Sequence, residues 1–399
     1  ETFKDKVVDL FATHFPDKDP RTFQVDRIKG GSFNRIIGVT ISQPKPQEFT
    51  WEWVLQVFHN MCGQRQVKKD EKYIIRIPRA KYEGDEMKYD VAVLQFAASR
   101  LPYPIPRVQF VDYTSENALG SPYTIQPRLE GNNLAPVQTS LTVEQNVKLT
   151  RYVMDIHRKM HSITSVAPGV IHPDTTTSSH LSLTRFLVPE HPKGHEKFLA
   201  LKHATLPAES QTTKQFLLEL CNRQEDLDET TQDWAWPFWH QFKQIINLLH
   251  DRGFLPDDEV FHFSHLDLLG RNLLASVDHD RNTIDITGVL DWDMEFSCFA
   301  PKFVAYKAPF WLWVTDDVND ENEDFADTIS DPEKPSLVAA KRIFDETAGE
   351  DWKRFAYTPE YQIARKMFDV LKTGCANQPM QVQAQEVVRR WKDLYPEDE

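Results

Sequence analysis

The sequence predicts an α+β protein in two parts, a β-rich first third followed by a mainly helical remainder. Three observations carry this. Short β-type runs cluster between residues 23 and 126. From residue 141 onward, apolar residues recur at helical spacing over long stretches. Charge divides at the same place: residues 1–130 hold 19 Lys+Arg against 17 Asp+Glu, whereas residues 131–399 hold 27 against 43.

In chain order, Phe23–Ile28 and Arg35–Ile41 read as two strands around a Gly30-Gly31-Ser32 tip, a hairpin closed off by Pro44 and Pro46. Residues 44–70, with Trp51, Trp53 and Phe58, read as an insertion of helix and loop. Lys72–Ile77 is a third strand stopped by Pro78. Met87, Val91, Leu94 and Ala98 set a helix over 85–100, which Pro102, Pro104 and Pro106 end. Arg107–Val111 and Tyr123–Gln126 complete five strands. Helices are predicted over 141–161, 237–252, 336–348, 358–373 and 380–394, and short strands at Phe261–Ser264, Asn272–Ala275 and Ile284–Leu290. Residues 164–235, rich in Pro, His, Ser and Thr, read as loops and short helices, with 164–240 forming a lid or insertion. The domain boundary falls at 128/129.

With 399 residues, 40% hydrophobic, the chain can bury a large core. A net charge of −14 disfavours nucleic acid and anionic membrane surfaces. No apolar run reaches spanning length, and the first residues show no leader pattern. Cys62, Cys221, Cys298 and Cys375 lie far apart, without metal or redox spacing, which points to a reduced, cytoplasmic setting.

The chemistry concentrates in His265-Leu266-Asp267-Leu268-Leu269-Gly270-Arg271-Asn272 and, nineteen residues after Asn272, in Asp291-Trp292-Asp293 at the end of an apolar strand. H-x-D-x-x-x-x-N followed by a strand-borne Asp is the order that phosphoryl transfer requires. One carboxylate orients a hydroxyl, and an amide and a second carboxylate supply hard oxygens for a divalent cation. A rival reading of His262, His265 and Asp267 as metal ligands fails on strand alternation, which points 262 and 265 to opposite faces.

This ordered set, with the run Tyr73-Ile74-Ile75-Arg76-Ile77-Pro78-Arg79, resembles the aminoglycoside-phosphotransferase-like kinases, a group with choline, ethanolamine, homoserine and antibiotic kinases, and in particular its fungal-type branch. The resemblance spans about residues 22–375. It implies a bilobal protein-kinase-like fold with an antiparallel five-stranded N-terminal lobe (1–128) and a mainly helical C-terminal lobe (129–399). It implies ATP- and Mg²⁺-dependent phosphotransfer to a hydroxyl of a small molecule. Asp267 becomes the catalytic carboxylate, Asn272 and Asp291 the metal ligands, and His265 a brace for the loop. Gly31, Ser32, Phe33 and Asn34 would cover the phosphates, and Gln126 and Arg128 flank the adenine hinge. Two departures stand out: Arg76 occupies the usual Lys position, and Asp90 the position of its Glu partner. Trp311, Trp313, Asp293 and Glu295, beside the acidic stretch Asp316–Glu333, suggest an amine-bearing acceptor; Trp234, Trp236 and Trp239 offer another acceptor wall. GTP in place of ATP, the acceptor's identity and the oligomeric state stay open, and a nucleotide-binding pseudokinase with a regulatory role is the competing reading.

Overall fold

The computed structural model describes residues 2–28, 33–42, 69–79, 84–176, 180–186, 206–231, 238–314, 330–375 and 378–398. The Gly30–Ser32 tip, nearly all of the 44–70 insertion, most of the Asp316–Glu333 stretch, and Trp234 and Trp236 lie outside them. The chain divides into two compact units, Glu1–Gln95 with Ile105–Leu129 and Phe96–Pro104 with Glu130–Glu399.

The first unit is built on an antiparallel sheet of β1 (Phe23–Ile28), β2 (Asn34–Ile41), β3 (Glu71–Pro78), β4 (Phe110–Asp112) and β5 (Tyr123–Pro127), in the order β1-β2-β3-β5-β4. Alternation sends Phe23, Ile37, Val39, Ile41, Tyr73, Ile75, Ile77 and Ile125 to one face, where they are buried against Val7, Leu10 and Phe11 of α1 (Phe3–His14). Sequence reading had passed over α1. Its signals were a Thr2–Asp5 capping box and apolar residues at i, i+3 and i+4. The opposite sheet face carries Arg76 and meets α2 (Gly84–Arg100). The fourth strand is shorter than predicted, because Pro104 and Pro106 precede it and the ladder begins only at Phe110.

In the second unit, β8 (Val170–Ile171) pairs with β9 (Leu183–Thr184), and β10 (Phe261–His265), buried throughout, lies between β13 (Ser297–Ala300) and β7 (Thr164–Ser165). Beside it in sequence, β11 (Leu273–Asp278) pairs with β12 (Thr283–Val289) and with β6 (Asn132–Asn133). Helix α3 (Val143–His161) opens with a Thr142–Gln145 capping box and buries Leu149, Val153, Ile156 and Met160. The reading of 164–235 as loops and short helices is corrected by α4 (Thr213–Thr231), a helix of 19 residues whose Phe216, Leu217, Leu220 and Cys221 are core. Helices α5 (Phe238–Asp251), α6 (Lys302–Ala305), α7 (Pro335–Thr347), α8 (Glu350–Tyr357), α9 (Pro359–Thr373) and α10 (Gln378–Leu394) complete the unit. Among the described residues no helix is long and apolar enough to cross a membrane. Cys221, Cys298 and Cys375 are free and buried, and burial pushes the Cys221 and Cys298 thiols up to about 12.

Candidate active site

The H-x-D-x-x-x-x-N motif becomes a loop between two strands. β10 ends at His265, a 3₁₀ turn covers Gly270–Asn272, and β11 starts at Leu273. The loop is folded back on itself by local bonds. Leu269 N–H donates to the Asp267 carbonyl and Asn272 N–H to the Leu269 carbonyl, both at 2.9 Å. The Asn272 side chain tightens it: its Nδ2 donates to the Asp267 carbonyl and to Asp267 Oδ2, each at 2.8 Å. Arg271 donates from its guanidinium to Asp267 Oδ1 at 2.5 Å. Both carboxylate oxygens are thereby oriented, and the Asp267 side chain keeps 14% of its surface exposed.

His265 fixes the loop from beneath. Its Nδ1 accepts the Asp267 N–H at 3.2 Å, so the ring proton sits on Nε2, which donates to the Leu290 carbonyl at 2.9 Å. Burial lowers its pKa, against the Leu290 bond and the nearby Asp267 and Asp293 carboxylates. The imidazole therefore stays neutral, which this pattern of one donor and one acceptor requires. The ring meets Trp292 edge-on at 4.7 Å, and Trp292 in turn stacks on Phe263 and donates Nε1–H to the Val289 carbonyl.

Asp291 follows directly. Leu290 N–H donates to the Asn272 carbonyl at 2.8 Å, tying the end of β12 to the end of the loop. Asp291 then adopts φ 66, a left-handed conformation that costs a non-glycine residue about 1–2 kcal/mol. Asp267, Asn272 and Asp291 are thus brought to one place by backbone and side-chain bonds. Asn272 has committed both amide protons to Asp267, which leaves its oxygen as the group it presents. An amide oxygen and a carboxylate form a hard donor set of the kind Mg²⁺ takes. Among the described residues no three His, Cys, Asp or Glu side chains form a metal cluster.

The acceptor candidates separate. Trp311 abuts the loop: a Cβ added at Gly270 would lie 3.4 Å from its ring and 2.6 Å from Gln138 Oε1, while Gln138 Nε2 donates to the Trp311 carbonyl. Trp313 is corrected to a core residue. It is 2% exposed and packs on Phe310 and Phe344, so its ring is spent on the interior. Asp293 is buried, and Glu295 is exposed with its carbonyl accepting from Lys372 Nζ. Trp239 is likewise core. Sequence reading missed Arg271 and Gln138. Arg271 could have been found as the single cation inside the motif, four residues after Asp267.

In the first unit, Asn34, Arg76, Asp90 and Gln126 line one small cavity of ≈ 20 Å³ between the sheet and α2. Gln126 is buried and donates to Thr124 Oγ1 at 3.4 Å. Phe33 is exposed, with its carbonyl accepting Arg79 N–H. Arg128 is exposed and brings its guanidinium to 3.6 Å from a Cβ built on Gly38. Gly31 and Ser32 lie outside the described residues.

A strand-flanked loop thus presents a carboxylate and an amide, with Asp291 two residues past the end of β12, an arrangement consistent with a kinase-type enzyme. The model of the phosphotransferase enzyme family matches residues 64–295, and the chain belongs to that family. Among solved structures, the ADP-bound aminoglycoside phosphotransferase APH(2'')-Ib aligns over 96% of this chain and 97% of its own at 12% identity, TM-score 0.50. The streptomycin–ATP ternary complex of APH(2'')-IIa aligns over 95% of each chain at 12% identity, TM-score 0.50. Choline kinase from Cryptosporidium parvum Iowa II aligns over 98% and 96% at 10% identity, TM-score 0.48. No curated protein matches by sequence. The fold is α+β and kinase-like, with the five-stranded antiparallel sheet in its N-terminal unit.

Proposed function

We propose that this phosphotransferase moves the γ-phosphate of ATP, with Mg²⁺, to a hydroxyl of a small molecule. The observation that supports it best is the Asp267–Asn272 contact, with Asp291 tied to the same loop through Leu290. Asp267 orients the acceptor hydroxyl and takes its proton as the oxygen attacks phosphorus. Arg271 and Asn272 hold the carboxylate in place for that role. Asn272 and Asp291 hold the cation, which when bound neutralises charge on the phosphate oxygens. In the nucleotide unit, Arg76 takes phosphate charge with Asp90 on the same cavity, residues 31–34 cover the phosphates, and Gln126–Arg128 flank the base. Positioning and charge stabilisation supply most of the rate. Buried free thiols suit a reducing compartment, the cytoplasm.

Arg271 sharpens the acceptor. Its guanidinium already neutralises the Asp267 carboxylate, so that carboxylate offers an acceptor ammonium little net attraction. An ammonium group of the acceptor therefore belongs away from the Asp267–Arg271 pair, toward the exposed Glu295. The test is ADP production with Mg²⁺ over amino alcohols, sugars and antibiotics, with Asp267→Asn in parallel. Acceptor-stimulated turnover by the parent and not by the variant is expected. Stabilisation by ATP and Mg²⁺ with no acceptor turned over would replace this reading with a nucleotide-binding regulatory protein.

A further inference from the structure

We propose that the α1-side face of the five-stranded sheet holds an anion-binding site, on the opposite face from Arg76, for a multivalent phosphate-bearing ligand. A cavity of ≈ 390 Å³ there is lined by Lys4, Arg27, Arg35 and Arg79 beside Phe3. The register explains why the arginines converge. Arg27 stands opposite Ile37, and Arg35 opposite Ile77, two residues before Arg79. Ile37 and Ile77 face α1, so alternation puts Arg27 and Arg35 on that face, beyond the apolar rows that α1 covers, and sends Arg76 to the other. Lys4 arrives on the first turn of α1.

Among the described residues that line the cavity none is acidic. Among the described residues, none of the four cations forms an ion pair, and Arg35 instead lies over the Phe3 ring at 5.4 Å. Asp5, next in sequence to Lys4, is committed to the Thr2 N–H at 2.8 Å. Asp26, next to Arg27, alternates to the other face. Like charges on neighbouring strands repel, and here they gather on a chain of net charge −14. The described residues thus form a concave set of three guanidinium forks and one ammonium, none of them ion-paired, that an added anion would neutralise. Forked donors suit phosphate oxygens, and four cations call for more than one negative charge.

Two sources share this chemistry, a soluble polyphosphorylated compound and a lipid headgroup. The probes are pyrophosphate, titrated calorimetrically at low salt without nucleotide or Mg²⁺, and phosphatidylcholine vesicles doped with phosphatidylinositol bisphosphate, read by co-sedimentation. Arg76→Gln, which removes the proposed nucleotide-site phosphate contact, should still bind pyrophosphate, and adding Arg27→Gln/Arg35→Gln to it should weaken that binding about tenfold or more. Vesicle binding lost in the same triple variant assigns the lipid source, and pyrophosphate binding without vesicle binding assigns the soluble one. Equal binding by the triple variant, loss of binding in Arg76→Gln, or no binding of either probe overturns the proposal. Folding supplies a separate check: without anion, Arg27→Gln alone should melt no lower than the parent, because it removes repulsion and no ion pair. None of these outcomes depends on phosphotransfer activity.

Discussion

Acidification from about pH 7.5 to about pH 5.5 tests the packing beneath the catalytic loop. Four imidazoles gather there, His157, His161, His262 and His265. Ring contacts join His157 to His161 and His161 to His262, and His161 also stacks on Tyr306 at 4.0 Å. Burial drives the pKa of each below 6.5: His157 to about 3, His161 well below, and His262 and His265 lower than usual. The unfolded chain therefore binds more protons than the folded one. Stability is full above 6.5 and is lost as pH falls toward the folded values. At about pH 5.5 an imidazole locked neutral costs about 1.4 kcal/mol, so His157 and His161 together cost about 3 kcal/mol. Glu259 acts the other way. Burial raises it to about 7, and its Oε2 is buried with no hydrogen bond, so its contribution is full below 4.5 and lost as pH rises through 7. It offsets roughly one histidine over this range. The net loss of about 1–3 kcal/mol lowers the melting temperature by roughly 1–4 °C. Protonated His265 also turns Nδ1 into a donor facing the Asp267 N–H, which opens the loop itself. Calorimetric or dichroism melts at the two pH values measure this, with two variants. His157→Leu, whose parent ring makes no hydrogen bond among the described residues, should recover about 1.4 kcal/mol of the acid loss. Glu259→Gln should deepen that loss. A pH response unchanged by both variants refutes the reasoning.

The remaining predictions concern the site and its frame. Asp267→Asn should lower phosphotransfer by about 10²–10⁴-fold while leaving nucleotide binding intact, checked by steady-state kinetics beside calorimetry. Chelating Mg²⁺ should abolish turnover and restore it on readdition, and full activity in excess chelator would contradict the roles of Asn272 and Asp291. Gly131→Ala should cost about 2–4 kcal/mol in urea unfolding, because at φ 94 its Cβ would lie 2.1 Å from Thr287 Oγ1 and 3.0 Å from the Ala275 carbonyl. Asp291→Gly should unfold about 1 kcal/mol later than Asp291→Ala, reversing the usual order, since both remove the carboxylate and only glycine relieves the left-handed backbone.

What could be read from the sequence was what local pattern encodes. Alternation in Phe23–Ile28, Asn34–Ile41 and Glu71–Pro78 gave the sheet because one face is buried and the other is not. The Asp267–Asn272 loop was legible because its inner bonds are local, as between Asn272 and Asp267 five positions apart. Helix Thr213–Thr231 was lost because its apolar residues sit inside a long polar, Pro-rich stretch whose average speaks for loop. Trp311 and Trp313 looked equivalent, yet two steps of a 3₁₀ turn rotate side chains by about 240°, and only packing decides which one faces inward. Arg271 follows the same rule, since the turn at Gly270–Asn272 aims it back at Asp267.

Asp291 differs in kind. Asp is among the few non-glycine residues that visit the left-handed region, and the surrounding bonds hold it there: Leu290 N–H to Asn272, the Leu290 carbonyl to His265, and Trp292 Nε1–H to Val289. A chain free to relax would place glycine there. Retaining a carboxylate at a position that costs about 1–2 kcal/mol means that its direction matters more than the strain. The bonds imposing that direction run to the same loop that orients Asp267. Strain at Asp291 and order at Asp267 are therefore one structural fact: the backbone that bends the first is the backbone that braces the second. The local rule fails where the chemistry is placed.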